Sequence, residues 1–331
     1  MARFLLRRLG SMLLVLFLVL TAMFVLLHLA PSSPVNALPP AVAADPAAVA
    51  AYKAAHGLDQ PLLVQYLVYL KGVVTGDLGT SIYDGTPVFD QIASHLPVSL
   101  ELGALAALVS MVPGFLLGAW TALHKGDKID SAVRVFTVLS LSVPAYWLAV
   151  VSLVLLGQRF PQLLPSAGGF IHLTDDPAAN LQVMILPAIV LGLSTFALVA
   201  RSLRASLVDV LDSDYVAFAR GMGMRQRTLL SKVAVRNAVI PTLTIMGVLL
   251  GSLVSGTVLV ESVFQIPGLG QLMVTAFLRQ DYSLALGASI VTASIFLLLN
   301  LVVDALYYVV DPRVRMQLES GRSRGLRPVP A

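Results

Sequence analysis

The run Asp214-Tyr215-Val216-Ala217-Phe218-Ala219-Arg220-Gly221-Met222-Gly223, continued by residues 224–241, decides how the rest of the chain is read. It is polar and basic, and it lies between two apolar segments that are each long enough to cross a membrane. Its residues predict two short helices with a turn between them. Asp212 or Ser213 is expected to cap the first helix by accepting an orphan backbone N–H. Gly223 is expected to end it, because a residue without Cβ takes the left-handed conformation without a clash. A second helix is expected over residues 225–235, with Pro241 near the start of the next span.

Working outward, the 331 residues are 57% hydrophobic and only 12% charged. That is too apolar for a soluble domain of average composition and points to a polytopic membrane protein. Residues 9–29 form an unbroken apolar run behind Arg3, Arg7 and Arg8. A cleaved signal peptide would have a shorter apolar core and a small-x-small site directly after it. Five more spans are expected at about 97–123, 133–156, 183–200, 239–260 and 284–310, giving an all-α protein with six transmembrane helices. Pro113, Pro144 and Pro187 fall inside or at the start of spans. Such prolines are tolerated in a membrane where neighbours satisfy the freed carbonyls.

Lys and Arg give the orientation. With the N-terminus inside, the inner segments hold 18 of the 22 Lys and Arg residues, and the outer segments hold only Lys53, Lys71, Arg159 and Arg279. This positive-inside asymmetry puts both termini and the 214–223 loop in the cytoplasm, and the chain in the cytoplasmic membrane.

The polar stretch 31–96 carries its own punctuation. Asp45-Pro46 opens a helix that Gly57 ends. Gln60-Pro61 opens another, apolar at helical spacing through Leu62, Leu63, Tyr66, Leu67 and Leu70, which would lie on the membrane surface or pack on the spans. Gly76 to Gly79 form a turn, and Thr86-Pro87 opens a short helix leading to His95. After the fifth span, Pro267-Gly268 makes a turn, and the half-apolar segment behind it is too short to cross, so it reads as a re-entrant or lip element. The organisation is therefore a tail and first span (1–30), an extracytoplasmic helical segment (31–96), a five-helix core (97–311) with a loop at 201–238 and an outer lip at 261–283, and a basic cytoplasmic tail (312–331).

Several strings carry a resemblance. Ala219, Gly223 and Asn237-Ala238-Val239-Ile240-Pro241 resemble the cytoplasmic loop of ABC importer permeases. Gly57-Leu58-Asp59-Gln60-Pro61, Gly76-Asp77-Leu78-Gly79-Thr80-Ser81, Glu261 with Phe264 and Pro267-Gly268-Leu269-Gly270, Arg279 with Asp281-Tyr282, and Asp311-Pro312-Arg313 look like the dipeptide/oligopeptide importer permease family, in the subunit type whose first span starts at the N-terminus. The resemblance implies the type I ABC importer permease architecture. It also implies a second homologous permease, one or two ABC ATPase subunits that bind ATP and Mg²⁺, an extracytoplasmic substrate-binding protein, and no cofactor on this chain.

In that reading Asp214, Tyr215, Phe218, Ala219, Arg220, Gly223 and Met224 form the ATPase-coupling helix. Glu261, Phe264, Pro267, Gly268 and Asp281 line the outer lip or the translocation pathway. The family's loop often reads Ala-Arg-Ala-Lys-Gly. Here it is Ala219-Arg220-Gly221-Met222-Gly223, and Gly221 loosens the helix by roughly 1 kcal/mol relative to Ala. The Ser that often caps the family's second short helix is also missing, with Arg225 near its place. Docking would then lean on Tyr215, Phe218, Met222 and Met224, since Met adapts to irregular grooves.

Catalytic patterns are missing from the sequence. There is no cysteine, no G-x-x-x-x-G-K-[ST] and no H-E-x-x-H string, and the five histidines are scattered over different segments. The expectation is no enzyme and no metal. A nucleic-acid-binding helix-turn-helix is excluded by the spans that flank the loop on both sides. Asn300 and Asp304, four apart on the last span, are expected to form a structural polar pair rather than a transport site. Glu261 either caps or pairs near the mouth, or is a solvated interfacial acid. The alternative to an importer subunit is a self-contained secondary transporter, which would carry acids or broken helices near mid-bilayer.

Overall fold

The six apolar stretches become five long helices and one bent pair. The structure, a computed structural model, describes residues 2–29, 35, 38, 44–157, 159–160 and 170–310. In order, the helices are α1 (Ala2–Leu29), α2 (Pro46–Ala55), α3 (Leu62–Thr75), α4 (Val88–Leu123), α5 (Lys128–Ser142), α6 (Ala145–Gly157), α7 (Pro177–Leu211) and α8 (Asp214–Gly221). Then comes α9 (Gln226–Thr228), which passes through a π-helical stretch (Leu229–Ala234) into α10 (Val235–Phe264), followed by α11 (Leu269–Leu278) and α12 (Tyr282–Val310). Among the described residues no strand is present. The chain is an all-α polytopic membrane protein.

Prolines decide where the spans break. Pro97, Pro113, Pro187 and Pro241 all lie inside unbroken helices. Pro144 is different: the residue before it, Val143, is extended at φ −93° and ψ 121°. A proline disfavours the helical region for its predecessor; at Pro144 that preference is realised, and α5 and α6 meet there at 99°. The expected third span is therefore two helices, not one straight rod.

Two helices, α4 and α7, run furthest past their expected limits. The short helix expected to lead to His95 has no end of its own. It is the start of α4, whose 36 residues span about 54 Å, well beyond the ~30 Å apolar core of a bilayer. The boundary at residue 96 falls inside it. The 35 residues of α7 likewise extend past the expected 183–200 at both ends.

The main core lies where α4 crosses α7, with Leu102, Ala106, Met111, Met184, Ala188 and Leu191 buried together. Close approach is set by Gly114 and Gly118, one turn apart on α4, and Gly192 on α7. A Cβ on Gly118 would stand 2.5 Å from the Ala200 carbonyl oxygen, and one on Gly192 would stand 2.9 Å from that of Ala106. Small residues four apart allow such backbone contact in membranes.

Around this core, α1 and the polar segment attach through a second cluster that includes Phe24, Leu27, Val88, Ile92 and Tyr282. Tyr66 Oη meets Thr21 Oγ1 at 2.6 Å, and the Tyr282 hydroxyl donates to the Leu27 carbonyl at 2.9 Å. Leu62, Leu63 and Leu67 stay exposed on the other side of α3.

Candidate functional site

The 214–224 loop forms as two helical pieces, but its termini are built differently from expectation. Ser213 is the N-cap of α8 by backbone geometry, yet its hydroxyl makes no cap bond and donates instead to the Val210 carbonyl. Asp212 does not cap either; its carboxylate pairs with Lys125 at 2.8 Å. Asp214 in the first turn and Arg220 in the last complement the helix dipole. Gly223 ends the helix at φ +79°, with its N–H on the Arg220 carbonyl and that of Met224 on Ala219. The second helix does not stop near 235. It runs on through the π-helical stretch and through Pro241 into α10.

The side chains of this loop divide sharply. Val216 is completely buried, and α8 packs on the stretch Leu229–Ala234, where Leu229 is also buried. Tyr215, Phe218, Met222 and Met224 point outward, Phe218 and Met222 at 70% and 73% exposure. Tyr215, Phe218 and Met222 stand three and four residues apart, on one side of the helix, with Met224 just past its end. Ala219 is half-buried and Arg220 exposed.

The opposite end of the bundle is closed by carboxylates. Glu261 is fully buried. Its Oε1 accepts from the Ser99 hydroxyl on α4 at 2.7 Å, and its Oε2 accepts from the Gly270 N–H at 2.7 Å and that of Gln271 at 3.2 Å. Ser99 Oγ in turn accepts from the Leu269 N–H at 2.7 Å. One carboxylate thus caps α11 and ties α10, α11 and α4 together. A Cβ on Gly268 would fall onto the Glu261 carboxylate, and one on Gly270 onto Val258 Cα. Both glycines are required by this approach. The solvated-acid alternative for Glu261 is overturned by its burial and its three partners.

Asp281 does the same at the start of α12. It is buried, takes the Ser81 hydroxyl and the amides of Ile82 and Leu284, and so holds the 79–88 loop against that helix. Arg279 stacks over the Tyr83 ring at 4.6 Å. Phe264 is a buried member of the main core rather than a lining residue, and Pro267 is half-buried in the turn between α10 and α11.

Asn300 sits against Gly251 of α10, and its amide donates to the Phe296 carbonyl at 3.0 Å. The side chain of Asp304 lies outside the described residues, so the pair with Asn300 does too. The sequence reading passes over one acid that the structure singles out. Glu101, near the start of the expected second span, has a buried Oε1 with no protein hydrogen-bond partner. Beside it is Asn180, fully buried, whose amide N–H bonds the Ile171 carbonyl at 2.9 Å while its Oδ1 is also unpartnered. A lone Glu four residues past Pro97 in an apolar run was the available signal. Among the described residues no cluster of three potential metal ligands occurs.

Long apolar helices, a bent third span and an exposed basic loop define a multi-pass membrane protein. Comparison with known proteins narrows this. Residues 114–316 match the family described as binding-protein-dependent transport system inner membrane component, and residues 1–103 match its N-terminal companion. The dipeptide transport system permease protein DppB of Lactococcus lactis subsp. cremoris is 35% identical over 317 residues, covering 96% of this chain and all of the relative. DppB of Escherichia coli is 32% identical over 95% of this chain and 99% of its own length. The probable D,D-dipeptide transport system permease protein DdpB of Escherichia coli is 34% identical over 88% and 91%. The chain belongs to the binding-protein-dependent transport system inner membrane component family: it is a transport permease of the cytoplasmic membrane, not a catalyst.

Proposed function

We propose that this chain is one half of the membrane channel of an ATP-driven peptide importer, paired with a second, homologous permease. One or two ABC ATPase subunits carry ATP and Mg²⁺ and dock on α8. An extracytoplasmic binding protein delivers the peptide to the end closed by Glu261 and Asp281. Both chain termini and α8 face the cytoplasm on this reading, which the distribution of Lys and Arg supports. The peptide substrate follows from the names of the relatives, which are dipeptide and peptide permeases.

The observation that carries the proposal is the outward edge of Tyr215, Phe218, Met222 and Met224 on a helix anchored through Val216. An apolar edge at the basic, water-facing end of a membrane protein is covered by something, and Met-rich edges suit a partner groove. ATP-driven closure of the ATPases would move α8 as a lever and bias the bundle between two states.

The test is to tag the C-terminus, extract the protein gently from its native membrane and identify what accompanies it by mass spectrometry. A second permease and a P-loop ATPase are expected. Glu101 and the bend at Pro144 favour one other reading, a self-contained secondary transporter, because buried acids and broken helices are features of that class. The chain recovered alone, repeatedly and in mild detergents, would make that reading the better one.

A further inference from the structure

The first loop at the basic end, between α4 and α5, is joined to the cytoplasmic extension of α7 by a fork that the sequence gives no reason to expect. Asp130, near the start of α5, has its side chain 1% exposed. Arg204 on α7 grips it through two bonds, Nε to Oδ1 at 2.6 Å and Nη2 to Oδ2 at 2.7 Å. The Gly126 N–H adds a third bond to Oδ2 at 3.2 Å, and Arg134 approaches from its own helix at 3.7 Å. Arg204 stands two turns before the corner at which α7 gives way to α8. Beside the fork, Ala122, Leu203, Leu207, Ala234 and Ala238 form a small apolar cluster that joins α4, α7 and the stretch leading into α10. At the corner itself Lys125 reaches Asp212 across the surface at 2.8 Å.

These contacts differ in strength for physical reasons. The surface pair between Lys125 and Asp212 is hydrated and screened, so it reports proximity more than it holds anything. The Asp130–Arg204 fork is another matter. Two parallel charge-assisted bonds have a fixed geometry, and pulling the fork apart would break both at once and leave the Asp130 carboxylate with only the Gly126 N–H and the more distant Arg134. A motion that displaces α8 would therefore carry the 124–130 loop with it, rather than open the fork.

We infer that Asp130 and Arg204 are positioning residues that lock the first loop to the α7–α8 arm, so that α8, the end of α4 and the start of α5 move as one body. This rests on the importer reading above. It extends that reading by giving the displacement of α8 a route into α5, and so to the bent pair α5–α6, through a side-chain joint rather than through the chain.

The chain has no cysteine, so the double variant Lys125→Cys with Asp212→Cys holds its only two thiols. These would be bridged with a short bifunctional thiol reagent in the assembled, reconstituted transporter. The expected result is that bridged and untreated protein import peptide at comparable rates, because the two positions never separate. Loss of import on bridging, in a preparation whose untreated form is active, overturns the proposal alone. If no ATPase accompanies the untreated variant, the importer reading falls and this proposal falls with it. A second variant reads the joint itself. Arg204→Met is expected to lower the ratio of binding-protein-stimulated to basal ATPase by roughly 2- to 30-fold, with Arg204→Lys restoring some of that ratio. An unchanged ratio with both rates reduced alike would mean that the fork only stabilises the fold.

Discussion

The two ends of the bundle satisfy their helix starts in opposite ways. At the end carrying the polar segment, acids do the work: Asp45 caps α2, Asp176 caps α7, Glu261 caps α11 and Asp281 caps α12, each by accepting backbone N–H groups. At the basic end, among the described residues, the N-cap side chains make no such bond. Asp127, Ser213 and Arg225 stand at the starts of α5, α8 and α9 without a side-chain cap. The first end thus supplies most of its own caps, α3 and α4, which open on Pro61 and Pro87, being the exceptions. The second leaves helix-terminal groups and a row of apolar side chains facing outward, which suits a surface that is completed by another protein.

The contrast is open to attack by substitution, taken in order of effect on the isolated chain. Gly270→Val should be the most damaging, since the new side chain collides with the α10 backbone at Val258. It should cost about 3 kcal/mol, seen as a large fall in the thermal unfolding midpoint of the detergent-solubilised chain. Next comes Glu261→Gln, which sets an amide where two backbone N–H groups need acceptors and removes the negative charge from the start of α11. A loss of about 2 kcal/mol is expected; an unchanged midpoint would show that the cap contributes nothing.

A milder effect is predicted for acid. The Thr86 hydroxyl and amide hold the Asp84 carboxyl below the ordinary carboxylate range. A depressed value stabilises the loop above the unfolded pKa of about 3.9 and loses that contribution as pH falls through the folded value. Amide protection at Thr86, whose N–H donates to Asp84 at 3.0 Å, corrected for intrinsic exchange, should therefore fall below that pH, and Asp84→Asn should remove the dependence. Smallest of all is Phe218→Ala. An exposed side chain with no internal role should change stability by less than about 0.5 kcal/mol, while import in the assembled transporter is lost. A large loss of stability would break the comparison, because it would make the loop as self-contained as the other end.

Much of the architecture was legible because it rests on composition and local chemistry. Apolar run lengths located the spans, and Asp45-Pro46, Gly57, Gly76 and Gly223 sit where helices begin and end. The failures came where tertiary contact overrides local preference. Pro97, Pro187 and Pro241 do not interrupt their helices, while Pro144 does; nothing in the dipeptides themselves separates these cases. Ser213 looks like a cap, yet its hydroxyl turns back to Val210. Glu261 could be read as a cap or as a solvated acid, and only the partners Ser99 and Gly270, 162 and nine residues away, decide between them. Gly114 and Gly118 carried a readable small-x-x-x-small signal for the α4–α7 crossing. The Asp130–Arg204 fork joins residues 74 apart and left no mark in either local sequence.

The central claim is that the exposed edge of α8 is a docking surface. The most direct test places a single cysteine at Phe218, the sole thiol of this chain, and attaches a short photo-activated crosslinker in native membranes. The account predicts a covalent adduct with a P-loop ATPase, with a matching cysteine at exposed Leu278 at the other end of the bundle giving none. An adduct only with lipid or with no protein at position 218, in membranes where the ATPase is present, would contradict it.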